Sequence, residues 1–217
     1  SWLEIGVRMY ALEPNELEYA ASVLKDDGIV VVATETFYGI AANPFSEKAV
    51  KRIFAVKRRS FDKPLPLIAS SVETVLRIVS GDSLDALNLA RRFWPASLTM
   101  LLRLKEKFPD CLKDQLGRIG VRVPTECPAV QLAKQGSGWI TATSANLSGE
   151  ENASCIEDIS ATLLGMVDYV IDSGPAPGGK PSSVVALESG RPIMLRAGAI
   201  PIESLTAKLE NLIYEST

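Results

Sequence analysis

Two periods of apolar residues alternate along this 217-residue chain. The run 29–33 is continuously apolar and rich in β-branched side chains, the pattern of a buried strand. It stops at Thr34, Glu35 and Thr36, with Tyr38 and Gly39 just beyond. Ser46 follows as the N-cap of a helix on which Val50, Ile53 and Phe54 recur three and four apart as one stripe. Lys57 is the next position on that stripe, so its side chain either snorkels outward or is aimed at something inside. Arg58, Arg59 and Lys63 come next, then a second apolar strand over 65–69. This strand–helix–strand unit carries hydroxyls after its first strand and cations after its helix.

The flanking pattern predicts an amphipathic helix over 12–25, short helices over 72–79 and 83–93, and a strand over 98–104. A charged connection over 105–117 leads to a strand over 118–123, where Ile119, Val121 and Val123 alternate and Arg122 faces the other side. A helix over 129–135, a strand over 139–142, a polar turn over 143–149 and a helix over 155–164 follow. After a short strand over 168–171, the Gly/Pro-rich stretch 173–181 is a loop. Strands over 183–187 and 193–196 are joined at Ser189 and Gly190, and a helix over 203–214 closes the chain. The alternation implies an α/β fold, one domain over 11–217 with a twisted, mixed parallel and antiparallel sheet flanked by helices. Residues 1–10 are expected to be an N-terminal extension or a cloning remnant.

Composition narrows the chemistry. An apolar content of 47% and a charged content of 23% suit a soluble domain with a real core. No apolar run approaches the roughly 18 residues of a membrane span, and no secretory signal is visible, so a cytoplasmic protein with no membrane partner is expected. Cys111, Cys127 and Cys155 are odd in number and far apart, which fits a reducing compartment. With no histidine, Ser-His-Asp and Cys-His catalysis and the usual zinc sites are excluded. The net charge is −3, yet segment 48–63 holds seven cations against Asp62 alone. That concentration reads either as a solvated helix face or as a local anion site.

In open α/β sheets, ligands bind beyond the carboxyl ends of strands. Thr34 to Tyr38, Thr143 to Asn146, and Arg196 with Gly198 fall at such ends, and Pro181 and Ser182 precede a strand. Each has a plain structural alternative. The threonines could be a locally bonded turn, Ser144 and Asn146 a cap or Asx-turn, Arg122 a partner of a helix carboxylate, and Arg196 a surface cation. Trp94 reads as a core anchor or a base-stacking platform. Hydroxyls, an amide and cations without paired carboxylates suit phosphate and carboxylate ligands. They favour a reaction run by positioning and charge neutralisation over acid/base work. No Walker or G-x-G-x-x-G loop is present.

The order of these clusters resembles the YrdC-like family. The resemblance rests on V-A-T-E-T-F-Y-G-I at 32–40, K-R-R-S-F-D-K-P-L at 57–65 and W-P-A-S-L-T at 94–99. It continues through G-V-R-V-P at 120–124, T-S-A-N-L-S-G at 143–149, P-S-S-V-V at 181–185 and L-R-A-G-A-I at 195–200. It implies a concave, positively charged cavity on the sheet and a threonylcarbamoyl-AMP synthase. Such an enzyme, a nucleotidyltransferase, converts L-threonine, bicarbonate and ATP to threonylcarbamoyl-AMP and pyrophosphate for tRNA modification. The family motifs place Lys57 and Arg59 as catalytic cations on the ATP phosphates. They place Lys63, Ser144, Asn146, Ser154 and Arg196 as further ATP-binding residues, and Thr36, Arg122 and Ser182 beside threonine. Mg²⁺ is expected with ATP, held by phosphates rather than by a protein ligand cluster. A downstream tRNA threonylcarbamoyl transferase is the implied partner, with contact to tRNA or double-stranded RNA a further one.

Departures from the family pattern are Ala33, Ser60, Ala96 and Ser183, all small or hydroxyl-bearing, and Ile68 where some members carry histidine. Longer members add a C-terminal domain, and the single-domain form is expected here. The alternative function is a double-stranded RNA or tRNA module without synthase activity, and a third is the carbamoyl-transfer domain of hydrogenase-maturation proteins. On the enzyme reading, Lys57→Ala or Arg59→Ala lowers ATP affinity with the fold intact, and Arg122→Ala raises the threonine requirement more than the ATP requirement.

Overall fold

The computed structural model describes residues 12–215, so the expected extension over 1–10 lies outside the described residues. Helix α1 (Pro14–Lys25) buries Leu17, Ala20 and Leu24. The apolar run that follows forms β1 (Val30–Ala33), buried at every position. It turns back at once into β2 (Tyr38–Ala41), an antiparallel partner in register from Val30↔Ala41 to Ala33↔Tyr38. The sequence pattern shows no strand here, because the turn is built by a threonine rather than by Gly or Pro. Thr34 N–H and Oγ1 both donate to Phe37 O, at 3.0 and 2.7 Å.

Helix α2 (Glu47–Lys57) starts where Ser46 Oγ accepts the Ala49 N–H at 3.2 Å and ends at Arg58, whose φ of 51° stops the helix. Strand β3 (Leu67–Ala69), helices α3 (Val72–Leu76) and α4 (Leu84–Ala90), and strands β4 (Leu98–Leu102) and β5 (Ile119–Arg122) follow. Helix α5 (Pro128–Gln135) packs against α1, and β6 (Trp139–Thr141) leads straight into β7 (Thr143–Ser144). The helix expected over 155–164 is instead a single 3₁₀ turn, Ile156–Asp158, and a short α6 (Ala161–Leu164). Asp158 accepts the N–H groups of Ser154 and Cys155, and Ile159 is extended, so Ser160 must cap a new helix. Strand β8 (Tyr169–Val170), the hairpin β9 (Ser183–Glu188) and β10 (Arg191–Arg196), and α7 (Ile202–Glu215) complete the chain. The hairpin turns at Ser189 and Gly190, both at positive φ (48° and 72°), as a two-residue hairpin requires.

The strands belong to two sheets, where the sequence suggested one. The first runs β7-β2-β1-β8 and the second β10-β9-β4-β5-β3-β6, and both mix parallel and antiparallel pairs. The chain crosses between them at Ala142, from β6 in one sheet to β7 in the other. Thr141 N–H donates to Ala42 O at 3.0 Å and Thr141 Oγ1 accepts the Ala42 N–H at 2.8 Å, so the sheets are stitched where they meet. Nothing local marks that crossing, since a polar threonine on each side of Ala142 reads as one strand entering a turn. Across the second sheet, registered pairing puts Thr99, Arg122 and Ile68 in one row on one face.

Candidate active site

The cleft between the two sheets collects the polar clusters. Its wall includes Thr34 and Thr36 from the β1–β2 turn, Arg59 from beyond α2, and Ser144 from β7. Arg122 from the end of β5, Ser182 before β9 and Arg196 from β10 close it. Its volume is about 110 Å³, less than the roughly 300–1,000 Å³ of pockets that swallow drug-sized ligands, a size suited to a small anion or amino acid. A second recess of about 260 Å³ adjoins it, floored by Leu101, Gly120, Val184 and Leu195, and shares Arg59 and Arg196 with it. Gly120 keeps this floor low, since a Cβ there would stand 3.0 Å from Thr99 Cγ2.

Arg59 donates from Nε to Lys63 O at 2.7 Å and from Nη2 to Pro64 O at 3.1 Å. Burial pulls its guanidinium below the ordinary arginine value, with Asp62 opposing. Arg196 is exposed overall, yet desolvation, then Arg122 and Arg59, pull it down as well, which places Arg196 within the field of both other guanidinium groups. Its Nη2 donates to Ser182 O at 2.7 Å and to Ser182 Oγ at 2.9 Å. Arg122 Nη1 donates to the same hydroxyl at 3.2 Å, and Thr99 Oγ1 lies 3.0 Å from it. Ser182 therefore joins two guanidinium groups. The carboxylate beside Arg122 comes from the β1–β2 turn: Glu35 Oε1 is 3.0 Å from Arg122 Nε and accepts Ser97 Oγ–H at 3.0 Å. The Nε–H is not aligned on that oxygen, so the contact is an ion pair rather than a hydrogen bond.

Lys57 points inward and is 2% exposed. Its Nζ donates to Ser144 O, to Asn146 O at 2.8 Å and to Asn146 Oδ1 at 2.9 Å. Ser144 Oγ also donates to Asn146 Oδ1 at 2.6 Å, and Asn146 Nδ2 donates to Glu150 O at 2.8 Å. Lys57 thus latches the end of α2 to the loop after β7 from behind the wall. Burial, then the cation Arg59, pull its ammonium down to about 7, while Glu150 opposes. The structure brings Thr36, Arg59, Arg122, Ser144, Ser182 and Arg196 onto one cavity, and sets Lys57 and Asn146 as its brace. The Lys63 side chain is exposed, and only its carbonyl serves Arg59. Ser154 lines a separate polar depression with Glu150, Glu151 and Asp158. Glu35 and Ser97 lie within stretches the sequence marks but carry no role of their own there, and Asn152 is not marked at all. The signal for Glu35 was a carboxylate between two threonines at the end of a buried strand.

Two alternatives are settled by contacts. Trp94 is a core anchor, 6% exposed, with Nε1 donating to Leu98 O at 2.8 Å. The basic helix face is largely paired: Lys51 with Glu47 at 2.6 Å, Lys48 with Asp27 at 3.6 Å, and Arg52 with both Asp168 oxygens. Gly198 packs against the 181–183 backbone, where a Cβ would overlap Pro181 O and stand 2.5 Å from Ser183 N. Gly198→Ala is expected to push Ser182 out of line and to cost about 1–3 kcal/mol. A thermal melt within 1 °C of the parent would contradict this.

Fold and cleft define an α/β ligand-binding domain whose site is built from guanidinium, hydroxyl and backbone groups. Residues 22–198 match the Sua5/YciO/YrdC family, whose description is "Telomere recombination". The chain belongs to that family. A Methanocaldococcus jannaschii protein is 34% identical over 203 residues, covering 92% of this chain and 95% of that one. The threonylcarbamoyl-AMP synthase of Pyrococcus abyssi is 33% identical over 194 residues, covering 89% of this chain, which spans only 57% of that protein. The crystal structure of P. abyssi Sua5 complexed with L-threonine superposes with a TM-score of 0.84 at 32% identity, covering 92% of this chain and 58% of that one. Among the described residues, no helix is long and apolar enough to cross a membrane, and no cluster of His, Cys, Asp or Glu could hold a metal ion.

Proposed function

We propose that this chain is a threonylcarbamoyl-AMP synthase acting by nucleotidyl transfer. L-threonine and bicarbonate combine with loss of water to a carbamate, whose oxygen attacks the α-phosphorus of ATP as pyrophosphate leaves. The observation that carries this reading is the sharing of Arg59 and Arg196 between a cavity lined by guanidinium and hydroxyl groups and an apolar recess. A nucleotide laid across them would set its base on Leu101, Gly120 and Leu195 and its phosphates on the two guanidinium groups. The Arg122 end would then take the carboxylate of threonine, with Ser182 and Thr36 nearby. The P. abyssi relatives, a threonylcarbamoyl-AMP synthase and a Sua5 crystallised in complex with L-threonine, support the same substrate.

The chain's own contribution is positioning and charge neutralisation: fixed guanidinium donors face oxygens whose charge grows as pyrophosphate departs. A donor set of guanidinium groups and hydroxyls does not fit a resident divalent cation, so Mg²⁺ enters with the ATP phosphates as part of the substrate. The product is a reactive mixed anhydride, to be consumed by a tRNA threonylcarbamoyl transferase in the cytoplasm. The RNA-module alternative loses support from the paired cations of α2. The test is pyrophosphate release from ATP and Mg²⁺ with L-threonine and bicarbonate supplied singly and together. Release that requires both is expected. Release from ATP alone, or none while ATP binds, would reject the synthase.

A further inference from the structure

Of the three arginines on the cavity wall, only Arg122 has a carboxylate partner among the described residues. Arg59 and Arg196 bond neutral oxygens, the carbonyls of Lys63 and Pro64 and the carbonyl and hydroxyl of Ser182. Arg122 instead lies against Glu35, and the two side chains are 8% and 5% exposed. Glu35 does not line the cavity; it stands behind Arg122, tied to Ser97 at 3.0 Å. Its second oxygen, Oε2, is buried with no hydrogen-bond partner among the described residues. Burying an unmatched polar atom is costly, so this oxygen calls for an explanation beyond the bond to Ser97. Its negative charge is the property that remains to be explained.

We propose that Glu35 is a specificity-determining positioning residue: by offsetting the charge of Arg122 it makes that end of the cavity select a zwitterionic amino acid over a simple anion. This rests on the reading of the site as a threonylcarbamoyl-AMP synthase. An amino acid carries an ammonium and a carboxylate on one carbon. A lone buried guanidinium would attract the carboxylate and repel the ammonium. It would also hold inorganic phosphate, bicarbonate or a misplaced phosphate tail. With Glu35 behind Arg122, the charge of that guanidinium is offset, so this end repels an ammonium less than a lone arginine would while its N–H groups still bind a carboxylate. Charges a few ångströms apart in a partly desolvated site shift binding by more than tenfold, so contact between Glu35 and the ligand is not required. Arg59 and Arg196, which make no ion pair among the described residues, are left for phosphates, and the Ser182 hydroxyl marks the divide between the two ends.

The experiment is calorimetric binding to the full chain, with L-threonine, with 3-hydroxybutyrate (the same skeleton without the amino group) and with inorganic phosphate. The parent is expected to prefer threonine to 3-hydroxybutyrate by about tenfold or more. Glu35→Gln, which keeps an acceptor for Ser97 but removes the charge, is expected to shrink that preference to about threefold or less and to tighten phosphate. Its KM for ATP should stay within about twofold, which general misfolding would not allow. Glu35→Asp should restore the preference. An unchanged preference in Glu35→Gln overturns the proposal. So does a parent that binds 3-hydroxybutyrate as tightly as threonine, a result that depends on no variant folding. A parent that binds ATP but neither small ligand rejects the amino-acid end as well, and one that binds nothing rejects the synthase itself.

Discussion

Lys57→Ala is expected to lower the melting temperature of the chain and to loosen the loop after β7, before any effect on chemistry is considered. The ammonium is the donor for Ser144 O, Asn146 O and Asn146 Oδ1, and it is 2% exposed. Ser144 O keeps the Asn146 N–H and Asn146 Oδ1 keeps the Ser144 Oγ–H, so alanine leaves Asn146 O bare at about 1–3 kcal/mol, and with the cavity left by the lysine stem a total near 3 kcal/mol is expected. For a domain of this size that is a drop of about 6–12 °C in Tm. The family motif implies an intact fold for this variant. The geometry changes that expectation, because the lysine faces the protein and not the cavity. Differential scanning calorimetry decides the matter. A melt unchanged within 2 °C together with a raised KM for ATP would return Lys57 to direct phosphate contact.

The same lysine gives a pH dependence of definite sign. Its folded value is pulled down to about 7 by burial and by Arg59, below its ordinary value of 10.5. Between the two, the unfolded chain binds more protons than the folded one, so stability rises with pH across that window. The penalty is fully present below about 7 and is gone above the ordinary lysine value. The three oxygen acceptors favour the charged form and oppose this shift, so the observed midpoint is expected inside the window rather than at its lower edge. Following the Nζ resonance of Lys57 by NMR measures it directly. A midpoint at the ordinary value would show that the acceptors cancel the burial.

What could be read from the sequence divides along a physical line. Alternation showed that Arg122 leaves the apolar face of its strand, since period two is a local property of β5. Strand ends located Thr36, Ser144 and Arg196, which the fold gathers on one cleft. The stripe on α2 brought Lys57 to the buried face but left its direction open, and only the loop after β7, some ninety residues on, decides it. The hairpin at β2 was hidden because Thr34 side-chain bonds replace the usual turn residues. The second sheet was hidden because the crossing at Ala142 has no local signature. Glu35 has no role legible in the sequence: a carboxylate in a turn becomes informative only when its partner, 87 positions away on β5, is known to be a buried arginine.

Arg59→Ala is expected to lower kcat/KM for ATP about 100-fold while leaving threonine binding within about twofold, the signature of a donor that serves one substrate. Two of its nitrogens are fixed on Lys63 O and Pro64 O, so the planar fork is held in place before a ligand arrives. Its place on both the cavity and the apolar recess puts it where a nucleotide's phosphates would pass from one to the other. Arg59→Lys should recover little, because a point charge cannot keep both carbonyl bonds and a bidentate face. Unlike Lys57, Arg59 braces only the backbone of its own loop, so the Tm should fall by about 4 °C or less. Arg122→Ala is the complementary variant, and it should raise the threonine requirement more than the ATP requirement. Separate titrations of ATP and threonine on both variants test the assignment. If Arg59→Ala weakened threonine as much as ATP, the two ends of the cleft would not be distinct sites, and the division between them at Ser182 would have to be abandoned.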